Sequence, residues 1–379
     1  MIKTLTVFGT RPEAIKLAPV IEEFSSRSTV KSVVCSTGQH LEMLEGALKA
    51  LDVSVNYDLG LMKESQTLSG LTGRLLTALS PVIQQESPDI VLVQGDTTTA
   101  FVGALVGFYH KIPVAHVEAG LRSGDKKNPF PEELNRRLAD TLSDLHFAPT
   151  EGSKVNLIRE GFPPESIAVT GNTVIDSLMH TVKSIRQGNL TLDISDEILD
   201  MRNQPNKLLL VTLHRRESFD TGIANICNAL KDLTEIHRNL VIVFPVHLNP
   251  KVRETVYNIL RGLDQVRLLE PLNYVNFVGL MMKADLIITD SGGIQEEAPS
   301  LGIPVLVARD KTERPEAIES GTARLIGTST NSIIEKTNLL LENEKVYQEM
   351  ATKVNPFGSG NAAKRIVDEI ERHFLEANG

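Results

Sequence analysis

Two runs of one grammar fill almost the whole chain and leave it few architectures. An apolar strand-like stretch is followed by a turn of Gly or small polar residues and then by a helix-like apolar spacing. The first run holds KTLTVF, KSVVCST, DIVLVQG, IPVAHVE, LHFAPT and SIAVTGN, and the second holds KLLLVTL, NLVIVFPV, VRLLEP, ADLIITD and IPVLVA. Strands apolar at nearly every position, alternating with helices, imply parallel sheets covered on both faces. The expected fold class is α/β, with two doubly wound Rossmann-like domains facing a cleft. A chain of 379 residues suits two domains, each with its own core. The texture turns polar across residues 186–207, where a boundary is expected, and 358–379 closes the chain with an amphipathic helix carrying Ile366, Ile370 and Phe374. The domain limits drawn are 1–172 plus 358–379, and 173–357. The spacing of Leu68, Leu71, Leu75, Leu76 and Leu79 suits core packing and is assigned no chemistry.

Ligands of open parallel sheets bind beyond the carboxyl ends of the strands, so the polar residues there deserve the chemical reading. The segment TDSGGIQEE follows ADLIIT and opens a short helix. Gly292 and Gly293 leave backbone N–H groups uncrowded, Ser291 adds a hydroxyl, and the helix start adds positive potential, a set that welcomes a diphosphate. Glu297 repels phosphate but accepts hydrogen bonds from vicinal hydroxyls, so a ribose on the same diphosphate is the expected partner. An ordinary helix capped by Asp290 or Ser291 accounts for the same segment. VTLHRRES sets His214, Arg215 and Arg216 directly after a strand, as an anionic ligand would require. In the first half, strand-end loops carry Arg11, Lys16, Asp96, Glu118, Glu132 and Glu133. Asp96 also fits a helix N-cap, and PEEL also fits a proline-led first turn with acids favouring the dipole. PVHLNP with His247 and ERPEA with Glu313 and Arg314 announce no role alone.

Composition removes other classes. Hydrophobic residues make up 41% and charged residues 23%, with a net charge of −9, which disfavours non-specific binding to nucleic acid or an anionic membrane. Cys35 and Cys227 make neither a disulfide framework nor a zinc pattern, so no metal is expected. The N-terminal apolar run is too short for a signal peptide, and FVGALVGF falls far short of a membrane span, so a cytoplasmic location is expected. FGTRPEA supplies one glycine where a dinucleotide fingerprint needs three, so NAD is not expected and no cofactor is assigned.

The blocks FGTRPEAIKLAP, TGQH, GDTTTA, HVEAGLRS, PFPEELNR, TGNTVID, HRRES, PVHLNP, TDSGGIQEEAPSLGIPVLV, TERPEA and GTARLIGT occur in order. Together they resemble the non-hydrolysing UDP-N-acetylglucosamine 2-epimerases over essentially the whole chain. The resemblance implies a glycosyltransferase-B-like fold whose last helix returns to the first domain, and a homodimer. It implies UDP binding through Arg11, Lys16, His214, Arg215, Ser291, Gly292, Gly293, Glu297 and Arg314. Asp96, Glu118 and Glu132 match the family's catalytic acids, and His214 is counted with them. The C2 hydrogen of a hexose has no neighbouring carbonyl to acidify it, so elimination of UDP to 2-acetamidoglucal and re-addition is the expected route, with proton handling on two faces. The product would supply ManNAc units for cell-surface polysaccharide. Gln94 stands where the family pattern leads one to expect His, and it is not expected to touch an assigned acid.

A hydrolysing epimerase or a retaining glycosyltransferase would share the fold and the nucleotide site, whereas a nucleotide-sugar sensor would have no use for three acids. Relatives of the bacterial type can hold a second UDP-GlcNAc beside the active site. The positions matching that pocket are Gln39, His40, Gln66, Glu132, Arg215 and His247, with Ser65 where Arg is expected.

Overall fold

The computed structural model describes residues 1–38, 51, 53–61, 63, 66–195, 198, 206–214 and 221–377. The chain divides into two compact units, Met1–Thr181 with Phe357–Gly379, and Val182–Pro356. In the first, β1 (Ile2–Phe8), β2 (Val30–Ser36), β3 (Tyr57–Asp58), β4 (Ile90–Gln94), β5 (Val114–Val117), β6 (Leu145–Ala148) and β7 (Ile167–Val169) form a parallel sheet in the order β3-β2-β1-β4-β5-β6-β7. In the second, β8 (Lys207–Thr212), β9 (Leu240–Pro245), β10 (Val266–Leu269), β11 (Leu286–Thr289), β12 (Val305–Val307) and β13 (Ala323–Leu325) are parallel in the order β10-β9-β8-β11-β12-β13. The fold is α/β with two doubly wound, Rossmann-like units. Strand order reverses between β1 and β4 and again between β8 and β11, which opens a crevice at each of those strand ends.

The apolar strands explain the two-faced burial. All five residues of β4, IVLVQ, are buried. One face of the first sheet packs on Leu17, Val20 and Phe24 of the helix Arg11–Ser26 and on Ile366, Val367 and Ile370 of the helix Ala362–Ala377. Each such aliphatic side chain contributes about 1.5 to 3 kcal/mol when fully buried, enough to return the last helix to the first unit. The other face packs on Leu71, Leu75 and Leu79 of the helix Leu68–Glu86 and on Val102 and Val106 of the helix Thr98–Tyr109. That second helix lies close because Gly103 and Gly107 face the sheet: an added Cβ would come 2.9 Å from Val93 and 2.8 Å from Val114. In the second unit Leu209, Val211, Ile242, Phe244 and Ile288 share a core with Ile226 and Leu230 of the helix Thr221–Ile236.

The limit drawn at 172/173 shifts to 181/182, inside the helix Thr173–Arg186. Its first turns belong to the first unit because Ser177 Oγ donates to the Ile15 carbonyl. The Asp176 carboxylate also accepts from Ala362 N (3.2 Å) and Ala363 N (3.0 Å), which ties the start of the last helix to it. No helix among the described residues is long and apolar enough to cross a membrane.

Candidate active site

The first unit gathers its acids where the strand order reverses. Asp96 follows β4, but Thr97 caps the helix Thr98–Tyr109 through Ala100 N (3.0 Å), so Asp96 is not the cap. Asp96 instead pairs with the Arg136 guanidinium, and its carbonyl accepts from Asn135 Nδ2 (3.0 Å). Arg136 and Asn135 lie on the helix Glu132–Leu142, whose first residue is Glu132. Asp96, Glu132, Thr10, Thr97 and Asn135 line one pocket of about 250 Å³. Leu68 and Leu71 line it too, so the leucine spacing read only as core also walls the site. Glu133 is not among the residues that line this pocket. Fully buried, it accepts from Ser123 N (2.9 Å), Arg136 (3.0 Å) and Arg137 (3.0 Å), which anchors the helix start.

Glu118 directly follows β5 with a left-handed backbone, φ +68°, a conformation a non-glycine residue adopts only when its surroundings impose it. Its backbone N–H donates to the Phe147 carbonyl (3.0 Å), and Lys16, Asn172 and Gln94 are among the side chains that donate to its carboxylate. Lys16 Nζ lies 2.6 and 2.7 Å from the two carboxylate oxygens, Asn172 Nδ2 donates to Oε1 (3.1 Å), and Gln94 Nε2 donates to Oε2. Gln94 therefore does touch an assigned acid, contrary to the sequence expectation. Parallel pairing places the end of β4 beside the end of β5, Gln94 opposite Val117, so a side chain from one strand end reaches the other. Lys16, expected on UDP, is held here by Glu118. Arg11, the first residue of its helix, is exposed.

Glu13 escaped the sequence reading. Its buried carboxylate accepts from Gly9 N (3.1 Å), Thr10 N (2.7 Å) and Thr97 Oγ1 (2.7 Å), tying the loop after β1 to the loop after β4. Burial pushes its carboxyl above the usual range, against those hydrogen bonds. The spacing T-R-P-E is a capping-box signature and could have revealed it.

In the second unit, Asp290 is fully buried at the end of β11, but it does not cap the helix Gly292–Glu297. It accepts from His214 N (3.1 and 2.9 Å), and its Oδ1 lies 2.9 Å from His214 Nδ1. Strands β8 and β11 are neighbours, so the crevice between them brings together two residues 76 apart in sequence. Ser291 is the N-cap residue but makes no side-chain cap bond. A Cβ on Gly292 would stand 3.7 Å from the Arg314 guanidinium, and one on Gly293 3.8 Å from Glu297 Oε2. Arg314 and Glu297 thus flank the two glycines from opposite sides in charge. Arg314 pairs with buried Glu296, and Glu297 lies 3.4 Å from the Tyr274 hydroxyl. Glu313 pairs with Arg309 (2.6 Å).

His247 is exposed, with its ring 6.3 Å from that of His214. Gln66 accepts from Lys63 N (3.2 Å) and from Arg74. Gln39, His40, Ser65 and Arg215 lie outside the described residues.

The family model for UDP-N-acetylglucosamine 2-epimerase matches residues 22–371. The chain is 48% identical over 374 residues to the UDP-N-acetylglucosamine 2-epimerase of Escherichia coli K12, spanning 99% of this chain and all of that protein. Among solved structures, the UDP-GlcNAc 2-epimerase of Neisseria meningitidis, bound to UDP-GlcNAc, has a TM-score of 0.88 at 47% identity, covering 98% of this chain and all of that one. The Methanocaldococcus jannaschii enzyme, in complex with UDP-GlcNAc and UDP, has a TM-score of 0.80 at 34% identity, covering 98% of this chain and all of that one. With the acids at one crevice, the glycine turn at another, and a family match that runs nearly from end to end, this chain belongs to the UDP-N-acetylglucosamine 2-epimerases, isomerases of the non-hydrolysing type.

Proposed function

We propose that the chain interconverts UDP-GlcNAc and UDP-ManNAc by elimination and re-addition of UDP. The observation that supports the reading is the convergence of Asp96 and Glu132 on one pocket, with Glu118 directly after β5 and held by Lys16, Gln94 and Asn172. A carboxylate takes the C2 proton, the C2 electron pair forms the C1–C2 double bond, and the C1–O bond breaks with its pair leaving on the β-phosphate oxygen. The enzyme-held 2-acetamidoglucal then receives a proton at C2 on the opposite face while the phosphate oxygen attacks C1. Two faces require two proton-handling groups, and Asp96, Glu118 and Glu132 supply candidates for both.

In this reading Arg11, Lys16, Arg215, Ser291, Gly292, Gly293 and Arg314 serve the diphosphate, Glu297 serves the ribose, and His214, oriented by Asp290, stabilises the departing UDP. Neither NAD nor a metal takes part. The product supplies ManNAc units for cell-surface polysaccharide, and the chain works as a cytoplasmic homodimer. Gln39, His40, Gln66, Arg215 and His247 serve a second, activating UDP-GlcNAc. The nearness of the His247 and His214 rings supports that last assignment.

Proton NMR of UDP-GlcNAc in heavy water tests the reaction. Deuterium should enter C2 as UDP-ManNAc appears, without added NAD or metal. Epimerisation with full retention of the C2 hydrogen would exclude the route, and release of free sugar would mark a hydrolase. Progress curves from UDP-ManNAc test the second site: a full initial rate without UDP-GlcNAc would dismiss it.

A further inference from the structure

Beneath the acids lies a polar pair that none of the proposed steps uses. His116 on β5 and Asp140 on the helix Glu132–Leu142 are both fully buried, with His116 Nδ1 2.6 Å from Asp140 Oδ1. His116 Nε2 donates to the Gly95 carbonyl (2.7 Å), the residue before Asp96. Asp140 Oδ2 accepts from Gly120 N (3.3 Å), two residues after Glu118, and pairs with Arg122 (2.8 Å). Asp140 and the Gly95 carbonyl thus engage both ring nitrogens of His116. His146 Nε2 bonds the Asp140 carbonyl (2.9 Å), and Arg122 continues to Glu160 (2.6 Å).

We propose that His116 and Asp140 form a buried positioning pair that holds the loops carrying Asp96 and Glu118 at a fixed separation. The proposal rests on the reading of those two acids as proton-transfer groups. Three features make the pair more than a satisfied core contact. It bonds the backbone of both acid-bearing loops and spans them with one side chain each. Its helix carries the third acid, Glu132, in the first turn and Asp140 in the last. The loops themselves have little freedom: Gly95 and Gly120 have φ +71° and +82°, and a Cβ on Gly120 would lie 2.4 Å from the Ser153 carbonyl. A carboxylate displaced by about 1 Å from its proton loses on the order of a hundredfold in rate, so small shifts in these anchors matter.

The variants Asp140→Asn and His116→Gln test this in the full chain. Each is assayed with UDP-GlcNAc and with its C2-deuterated form, and calorimetric titration with UDP counts the folded, nucleotide-competent sites. Two variants are used so that one that fails to fold leaves the other to decide. The expected result is a fall in kcat per UDP-binding site of about 10- to 100-fold with KM within about twofold. The C2-deuterium effect on kcat should rise above that of the parent, because proton transfer has become the slower step. A merely structural role removes active molecules and leaves the isotope effect of the remainder unchanged. An unchanged kcat per site, or a lower kcat with the parent's isotope effect, would overturn the proposal. A parent chain that does not epimerise at all would sink the functional reading and this proposal with it. An active parent with unaffected variants sinks the proposal alone.

Discussion

Replacing Lys16 by Met removes an ammonium that touches both oxygens of a carboxylate only 5% exposed. At an effective dielectric near 20, charges about 3 Å apart attract by about 5 to 6 kcal/mol, most of which desolvation offsets. Truncating one partner of a buried pair costs about 3 to 5 kcal/mol, because the other charge stays behind. Here Gln94 and Asn172 still donate to Glu118, and Lys16 retains 17% exposure, so the cost falls just below that range, at about 2 to 3 kcal/mol. Glu118→Gln introduces an amide N–H into a shell made of donors and should destabilise by a similar amount, about 2 kcal/mol. Once the carboxylate is neutral, Lys16→Met should cost under about 1 kcal/mol, leaving a coupling near 2 kcal/mol in the double-mutant cycle. Hydrogen exchange of the β4 and β5 amides across a urea titration reads the stability of the first unit in all four chains. Effects that add within about 0.5 kcal/mol would refute the argument, since independent sites do that.

Asp96→Asn and Glu132→Gln should each lower turnover by about a hundredfold or more with UDP affinity retained, checked by kinetics beside calorimetry. Asp176→Ala removes the acceptor for Ala362 N and Ala363 N and should destabilise the last helix by about 1 to 2 kcal/mol, read as faster exchange across residues 362–377. Burial pushes the Cys35 and Cys227 thiols up to about 12, so neither should react with a disulfide reagent at pH 8 before unfolding. Because their folded pKa values are raised, the protonated thiols favour the fold fully below an unfolded pKa near 8.5, and that contribution is lost as pH climbs toward 12. A stability curve flat from pH 8 to 11 would contradict this.

The sequence by itself determined the elements and the kind of residue at each strand end. Runs such as IVLVQ and LIIT need only their own apolarity to be strands buried on both faces, and the leucines of residues 68–79 need only their spacing to be a helix. Asp96, Glu118, His214 and the glycines of residues 292–293 were legible because they sit directly beyond such runs. The order of the motif blocks carried the family. Tertiary structure decided which side chains meet. Glu118 takes its donors from 24, 54 and 102 residues away, and Asp290 turns to His214 instead of capping its own helix. The same holds for the His116–Asp140 pair, and for the last helix, which Asp176 holds in the first unit. Strand and helix periods are short-range properties that a window of residues contains. Contacts between strand ends depend on the order in which strands join the sheet, which no window contains, so Gln94 could be located at the end of β4 but not seen to reach Glu118.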